Sequence, residues 1–448
     1  MARPTQFKDL FDQYLPRDLQ KSLVRADSAS LEAYDSAFSE PTSLMVPDEE
    51  HAIQNAVRPW IGKLGVNTGA IGAHPDFAHL VGTDQIIYHH ITTLFLDIEN
   101  STRLSLLMPL EEVLRIKNGI LRAASEMVRA FDGHVHRFMG DALMAFFGGA
   151  KISPEDSAMA AINCAAMLRQ FMKVAVLPGL QQRGIDTKDL GFRIGIDYGE
   201  DSKVLWASYG HSKVNEVTAT SFYVDVAAKL QHQAGRNQVM LGDSLLSFLD
   251  FPDPFREVKT QTRNGEEEAV PVLLPNLSDA NGQPINYSIR KLKARNFDNL
   301  LPVPTAVKAT FDGSKAHHHP GVTYQLWVVG GGKRQPYNSL SQCLNKGLAL
   351  EFEVSVQHRG YSHRYPLSVN FRKTNYGAEA GAEAKTFPWV VKTISHPHGS
   401  GYGSQPPAAS TVIQEEGTAY RGIHQMEVEV KDVHGALLFR DAIGVHIR

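Results

Sequence analysis

The chain has 448 residues, a formal net charge of −3, 43% hydrophobic residues and two cysteines. This length predicts two or three domains, and the small net charge argues against a surface for nucleic acid. No apolar run approaches the roughly 20 residues of a membrane span, and the N-terminus lacks the apolar core of a signal peptide. Cys164 and Cys343 show no metal-ligand spacing, so we expect no disulfide framework and a reducing, cytoplasmic environment.

The N-terminal segment, residues 1–85, has a helical pattern at its start and an irregular one afterwards. The stretch from Ile91 to Leu96 is rich in β-branched and aromatic residues, which predicts a strand. Further along, apolar spacing predicts helices over 111–131, 154–173 and 222–233, a hairpin over 134–147, and strands over 192–196 and 237–241. Strands that alternate with helices around one hairpin predict an α+β domain over residues 86–275, with helices packed on a mixed sheet.

The pattern changes towards the C-terminus. Residues 276–300 are polar and carry four cationic side chains close together, and we interpret them as a linker. From about Pro302 onwards, short alternating segments are separated by Gly- and Pro-rich stretches; the segments are 322–329, 348–356 and 425–430. This pattern predicts a β-rich domain over residues 301–448.

Two aspartates carry the main chemical signal. Asp97 and Asp141 each stand at the end of an otherwise apolar strand, where a carboxylate is costly unless it has a partner. If neighbouring strands bring the two together, their hard oxygen atoms can hold a pair of divalent cations such as Mg²⁺ or Mn²⁺. Two-metal sites of this kind serve phosphoryl and nucleotidyl transfer.

Four blocks around these aspartates resemble, in order, the class III nucleotidyl cyclase catalytic domain; they are 95–102, 133–142, 192–199 and 224–230. The resemblance implies a ferredoxin-like mixed sheet with helices. It also implies that Asp97, Asp141 and the main-chain carbonyl of Ile98 bind two divalent metal ions, Mn²⁺ or Mg²⁺. The substrate-binding segment that follows would lead into a short helix whose amides face the triphosphate; its residues are Glu99, Asn100, Ser101 and Thr102.

Two positions that read the base in purine cyclases of this family differ here. They fall on Arg137 and Thr218, so the lysine–aspartate pair for adenine and the glutamate for guanine are both absent. Arg137 could donate to a uracil carbonyl and Thr218 could accept from N3–H, whereas the amino group of cytosine would oppose Arg137 donor to donor. We therefore expect UTP as the substrate. The alternative is that Arg137 pairs with the triphosphate or with a nearby carboxylate.

The remaining family positions point to a shared site. Asp225 stands where the family has a ribose-contacting asparagine, and Lys229 stands where it has a phosphate-contacting arginine. Their four-residue spacing places both on one helix face. A second family lysine corresponds loosely to Lys259. Because one subunit supplies the aspartates and the other supplies the base readers and this helix, the resemblance implies a symmetric homodimer.

The whole chain resembles the pyrimidine cyclases of bacterial Pycsar antiphage defence, whose C-terminal part is the AGS-C sensor domain. This implies a uridylate cyclase that converts UTP, or another nucleoside triphosphate, to the 3′,5′-cyclic nucleotide and pyrophosphate. A separate effector protein would bind the product. The alternatives are a cytidylate cyclase, an adenylate cyclase, or a non-catalytic nucleotide sensor on a cyclase fold. We expect no nucleic-acid partner and no membrane span.

Overall fold

The computed structural model describes residues 7–15, 51–211, 214–270, 272–358, 364–381, 384–396 and 407–448. Most of the predicted N-terminal segment before residue 51 therefore lies outside the described residues. The α-helices are α1 (Ala52–Val57), α2 (Ser101–Leu107), α3 (Leu110–Ala130), α4 (Pro154–Phe171), α5 (Leu177–Gln181), α6 (Phe222–Gln233), α7 (Asp243–Phe248), α8 (Ala294–Phe297) and α9 (Thr305–Lys308). A π-helix, Met172–Val176, joins α4 to α5, and short 3₁₀ turns include Phe7–Tyr14, Ala78–Leu80 and Asp201–Lys203.

Twelve strands belong to the N-terminal two thirds of the chain. They are β1 (Ile86–Tyr88), β2 (Ile91–Glu99), β3 (His134–Met139), β4 (Ala142–Phe147), β5 (Gly191–Gly199), β6 (Leu205–His211), β7 (Val214–Thr220), β8 (Gln238–Gly242), β9 (Arg256–Arg263), β10 (Glu266–Val270), β11 (Val272–Ser278) and β12 (Pro284–Leu292). Nine of them form one mixed sheet in the order β10-β9-β12-β8-β5-β2-β4-β3, with β11 paired to β12. The strands β1, β6 and β7 form a separate three-stranded sheet.

Both faces of the mixed sheet are covered. Along β2, Leu94, Leu96 and Ile98 point into the core under α3 and α4, while Phe95 faces the opposite side. Period-2 alternation explains this, because successive side chains of a strand point to opposite faces. On the opposite face α6 packs tightly over β5, since a Cβ on Gly195 would lie 2.3 Å from the Ala227 carbonyl oxygen. The predicted α+β architecture is confirmed.

The predicted hairpin and the three predicted helices are present with small shifts of their ends. The linker interpretation of 276–300 is wrong for β12, which pairs with β8 and with β9 inside the mixed sheet. Its alternating residues Tyr287 and Ile289 are buried against α6. The cationic side chains suggested a linker, but β12 also carries this buried apolar face. A mixed sequence of this kind is typical of a strand with one face on the core and the other in solvent.

The C-terminal part is β-rich, as predicted. Its strands are β13 (Val322–Gly330), β14 (Lys333–Tyr337), β15 (Cys343–Leu344), β16 (Ala349–Gln357), β17 (Leu367–Asn375), β18 (Lys385–Thr386), β19 (Val390–Ile394), β20 (Ala409–Gly417), β21 (Gly422–Lys431) and β22 (Leu437–Ile447). They form a four-stranded sheet, β14-β13-β16-β20, and a six-stranded sheet built on β15-β22-β21-β17-β18, with β19 paired to β17. The inner faces of both sheets share one apolar core.

The main core also includes C-terminal side chains. Leu340, Tyr376 and Ile423 are buried in the same cluster as residues of α3 and α4. Two buried ion pairs, Arg169–Asp298 and Lys308–Asp441, lie at this junction. By length and composition the helical stretch Pro154–Gln181 could cross a membrane, but 78% of its most apolar window is buried inside the protein. Here this stretch is a core helix.

Candidate active site

The register of β2 and β4 brings the two predicted metal ligands to one end of the sheet. Asp97 lies opposite Ala142, and Asp141 precedes Ala142 in the β3–β4 turn. The amide of Ile98 donates to the carbonyl oxygen of Asp141 at 3.3 Å. The side chains of Asp97 and Asp141 remain 13% and 27% exposed, so the pair borders solvent and is not sealed in the core.

Both carboxylates are held by protein groups. Arg193 lies opposite Asp97 on β5 and donates from Nε to Asp97 Oδ2 at 2.9 Å, with a second contact from its terminal nitrogen. Ser101 donates its hydroxyl to Asp141 Oδ2, and Lys117 Nζ lies 3.8 Å from the same atom. These side chains contact Oδ2 of each aspartate. No side chain among the described residues forms a hydrogen bond or ion pair with Oδ1 of either aspartate.

The segment after β2 turns sharply into α2. Asn100 adopts a left-handed conformation with φ of 59° and donates its side-chain amide to the Asp189 carbonyl. Ser101, the first residue of α2, is buried at 2% exposure, whereas Thr102 is exposed. Burial raises the pKa of Glu99 against the lowering effect of the Arg193 guanidinium. Glu99 therefore lies beside the aspartates. The helix that follows, α2, is short, with only seven residues.

The two predicted base readers stand on different sheets. Arg137 is on β3, and Thr218 is on β7, where it pairs with Ala207 of β6. Arg137 forms an ion pair with Glu216 and lies 2.9 Å from Nε2 of His136. Glu216 is two residues before Thr218, so both point to the same face of β7. Arg137 therefore has a nearby carboxylate as its partner in the single chain, which is the alternative left open by the sequence.

The residues predicted to contact the ribose and the phosphates lie on the outer face of α6. Asp225 and Lys229 are both exposed, and neither forms an ion pair with another described residue. Lys259 of β9 donates to the side chain of Gln233, one turn beyond Lys229, and burial lowers its pKa. Asp225 and Lys229 therefore lie on the exposed face of α6 with Lys259 near its C-terminal end, and no described contact joins them to Asp97 or Asp141.

Three charged residues near the site were missed in the sequence. Arg193 lies within a recognised block, but its role depends on the register of β2 against β5. Lys117 reaches Asp141 from α3, and Glu216 reaches Arg137 across two sheets. Only for Arg193 did a signal exist: it is the one charged residue in the apolar run from Phe192 to Ile196.

Two families match the chain. Residues 84–272 match the adenylate and guanylate cyclase catalytic domain, and residues 306–448 match the adenylyl/guanylyl and SMODS C-terminal sensor domain, AGS-C. A curated relative from Escherichia coli is 36% identical over 412 residues, which cover 89% of this chain and 88% of the relative. The chain belongs to the class III nucleotidyl cyclase family. It is a nucleotidyl cyclase with a C-terminal AGS-C domain.

The relatives carry names that differ in the base. The Escherichia coli relative is a cytidylate cyclase, and a second cytidylate cyclase from Escherichia coli is 31% identical over 439 residues, or 94% of this chain and 90% of that protein. A uridylate cyclase from Rhodovulum sp. (strain MB263) is 28% identical over 144 residues, which cover 31% of this chain and 56% of that protein.

Catalytic domains of this family depend on divalent metal ions, and the aspartates of this chain suit such ions. Each offers a carboxylate oxygen, Oδ1, that is not engaged by a described side chain. The donor set is all oxygen, as Mg²⁺ and Mn²⁺ prefer. The cationic partners Arg193 and Lys117 show that negative charge is concentrated at this point.

Proposed function

We propose that this cyclase converts CTP to 3′,5′-cyclic CMP and pyrophosphate, with UTP as the second candidate substrate. The observation that carries the proposal is the Arg137–Glu216 pair. Arg137 alone would oppose the cytosine amino group, but Glu216 supplies an acceptor beside it. Cytosine could then accept from Arg137 at N3 or O2 and donate from N4 to Glu216. This reverses the order in which the sequence analysis placed the two pyrimidines.

The names of the relatives support the same order, since two extensive matches are cytidylate cyclases. UTP stays a candidate because of Thr218, whose hydroxyl can accept from uracil N3–H on the same face of β7 as Glu216. The partial match to a uridylate cyclase points the same way.

We assign the metal site to Asp97, Asp141 and the carbonyl of Ile98, with Mn²⁺ or Mg²⁺ as the ions. When bound, such ions lower the pKa of the attacking hydroxyl and neutralise charge on the phosphates. Arg193 fixes the orientation of Asp97, and Ser101 does the same for Asp141. These two contacts hold the ligand oxygens in place before the nucleotide arrives, which reduces the cost of ordering them.

The roles on α6 follow from the chemistry of its exposed side chains. Lys229 would contact the phosphates as a point charge, without the bidentate fork of an arginine. Asp225 would accept from a ribose hydroxyl. Lys259 would add a second cation to the phosphate end of the site. No described contact joins these side chains to the aspartates of their own chain, and we assign them to the site of a partner subunit.

A symmetric homodimer with two shared sites is therefore part of the proposal. Apolar side chains around the candidate site are exposed to an unusual degree: Leu106 is 86% exposed and Leu110 is 67% exposed. Phe138 lies next to Arg137 on β3 and is 41% exposed. Tyr209 lies on β6, in the β6–β7 hairpin, and is 69% exposed. Apolar surface of this kind rimmed by polar groups marks protein interfaces, and a twofold axis would bring these patches together.

The biological role rests on the AGS-C domain and the resemblance to Pycsar cyclases. We propose that the cyclic nucleotide is a cytoplasmic signal in antiphage defence and acts through a separate effector protein that binds it. Cells that carry the cyclase with its effector should survive phage challenge better than cells with the Asp97→Asn variant. Equal protection by both would reject a signalling role for the product.

The substrate is tested by incubating the purified protein with each of the four nucleoside triphosphates and Mn²⁺. Cyclic CMP should be the main product by chromatography and mass spectrometry. Cyclic AMP or cyclic GMP as the main product would overturn the pyrimidine assignment. Cyclic UMP as the main product would move the assignment to the second candidate.

The base-reading pair is tested with Glu216→Gln, which keeps the shape and removes the charge. The ratio of kcat/KM for CTP to that for UTP should fall about 10-fold, because a lost or reversed hydrogen bond to the base costs about 1–3 kcal/mol. Glu200→Gln is the matched control, since Glu200 is exposed and pairs with Lys203. An unchanged ratio of kcat/KM values in Glu216→Gln would show that Glu216 does not take part in base recognition.

A further inference from the structure

A second cluster of ligand-type side chains lies at the opposite end of β2. His89 and His90 form the link between β1 and β2, and Asp201 begins the 3₁₀ turn that follows β5. The pairing of Ile91 with Gly199 brings these two links together. His90 and Asp97 are seven residues apart on an extended chain, so the cluster lies about 20 Å from the candidate active site.

The two imidazole rings lie against each other on the same side of the chain. They stack with centroids 4.3 Å apart, although neighbouring residues of a strand would point apart. His89 donates from Nδ1 to the His90 carbonyl oxygen at 3.0 Å, because a carbonyl can only accept. This bond places the proton on Nδ1 and leaves Nε2 of His89 with its lone pair free.

His90 is fixed in the same tautomer. Its Nδ1 donates to Oδ1 of Asp201 at 2.8 Å, and its backbone amide donates to the same oxygen at 2.8 Å. A carboxylate that orients an imidazole through Nδ1 is the usual outer-shell arrangement at a metal–histidine bond.

The strongest sign of a missing partner is Nε2 of His90. His90 is only 6% exposed, and Nε2 is buried without a hydrogen-bond partner among the described residues. A buried polar atom without a partner needs an explanation, and a cation bound to its lone pair would supply one. One ligand-type atom from each of His89, His90 and Asp201 lies within 4.8 Å of the others, so the three side chains form one compact cluster.

We propose that His89 and His90 bind a late first-row divalent cation through Nε2, with Zn²⁺ as the ion to test, and that Asp201 orients His90 from outside the ligand shell. Imidazole nitrogens suit Zn²⁺, whereas Mg²⁺ prefers oxygen ligands alone. The site is separate from the Asp97–Asp141 pair in both position and ligand type. It adds a metal requirement that the cyclase reaction itself does not need.

The position of the site predicts its effect. It joins the start of β2 to the turn before β6, and β6 pairs with β7, which carries Glu216 and Thr218. The main chain of His89 already contacts this hairpin, since Trp206 donates its indole N–H to the His89 carbonyl at 3.1 Å. A bound ion would therefore fix the base-reading hairpin to the catalytic sheet.

The test uses the full-length protein, stripped with a chelator and kept in excess Mg²⁺ so that the oxygen site is occupied. Calorimetric titration with Zn²⁺ should give one ion per chain, and Co²⁺ should give the visible absorption of a nitrogen-ligated, four-coordinate site. His89→Ala and Asp201→Asn should each weaken Zn²⁺ binding at least about 10-fold. Asp201 is 70% exposed, so Asp201→Asn should stay folded by circular dichroism.

Two controls separate this site from other sources of binding. Asp97→Asn should bind Zn²⁺ like the wild type, and so should His79→Ala, which removes an exposed histidine outside the cluster. Failure to bind one Zn²⁺ per chain would overturn the proposal. It would also be overturned if binding survived both His89→Ala and Asp201→Asn, or if Asp97→Asn abolished it.

Discussion

Asp197 is a buried carboxyl group whose titration should control the pH dependence of stability. It lies on β5, four residues from Arg193, and is 1% exposed. The hydroxyl of Tyr287 and the amides of Tyr198 and Leu245 donate to it, the amides at 2.9 Å and 3.2 Å. Burial outweighs these donors and raises the pKa of Asp197 to about 7. We predict that Asp197→Asn flattens the pH dependence of unfolding.

The sign follows from proton linkage. The unfolded chain titrates this group near its ordinary pKa of 3.8, whereas the folded chain holds the proton up to about pH 7. Between these values the folded state binds more protons, so its stability falls as the pH rises. From about pH 5.5 to about pH 8 the free energy of unfolding therefore falls by the equivalent of about 1.5 pKa units. At about 1.36 kcal/mol per unit this is about 2 kcal/mol.

The assay is urea unfolding of both proteins at these two pH values, followed by circular dichroism. The stability of Asp197→Asn relative to the wild type should increase by about 2 kcal/mol from the lower to the higher pH. Burial lowers the pKa of His74 and His446 to about 4, which has the opposite effect on stability, but both histidines are common to the two proteins and cancel. Asp84→Asn, at an exposed aspartate, is the control. A constant stability difference across this range would refute the reasoning.

Three further predictions concern the metal ligands, the shared site and the packing of α6 on β5. Asp97→Asn and Asp141→Asn should each lower kcat at least about 100-fold with unchanged circular dichroism; full activity in either would contradict the metal assignment. An equimolar mixture of Asp97→Asn with Lys229→Ala should recover up to about a quarter of wild-type activity after subunit exchange, because half of the dimers are mixed and each has one intact site; no recovery despite proven exchange would exclude shared sites. Gly195→Ala places a Cβ 2.3 Å from the α6 backbone and should destabilise the protein by about 1–3 kcal/mol, whereas Gly330→Ala, which meets no atom within 4 Å, should not; thermal unfolding of both variants decides.

Much of the catalytic sheet could be predicted because local patterns determine it. Asp97 lies inside β2, two residues before its end, and Asp141 lies in the β3–β4 turn, where Gly140-Asp141 fixes the register of the two strands. The partners of these carboxylates could not be predicted in the same way. Arg193 and Lys117 come from β5 and α3, and their contacts depend on how strands and helices are placed in three dimensions.

The base-reading site illustrates the same limit. Arg137 and Thr218 were predicted as base readers from their positions in the family motif. No local pattern indicated that Glu216 lies beside Arg137. That contact joins β3 of the nine-stranded sheet to β7 of the three-stranded sheet. Since one acceptor affects which pyrimidine edge fits, this single contact changes the preferred substrate from UTP in the sequence analysis to the CTP that we propose.

The AGS-C domain reaches the catalytic sheet through α4. Asn163 donates to the Leu340 carbonyl at 2.9 Å, and Asp156 accepts from the Cys343 amide at 2.6 Å. This helix packs on β2 and β5, the strands that carry Asp97 and Arg193. The described C-terminal residues therefore contact the candidate site through one intervening helix. Any movement of the C-terminal domain that reaches the aspartates along this route must first displace α4, which is buried on nearly all sides.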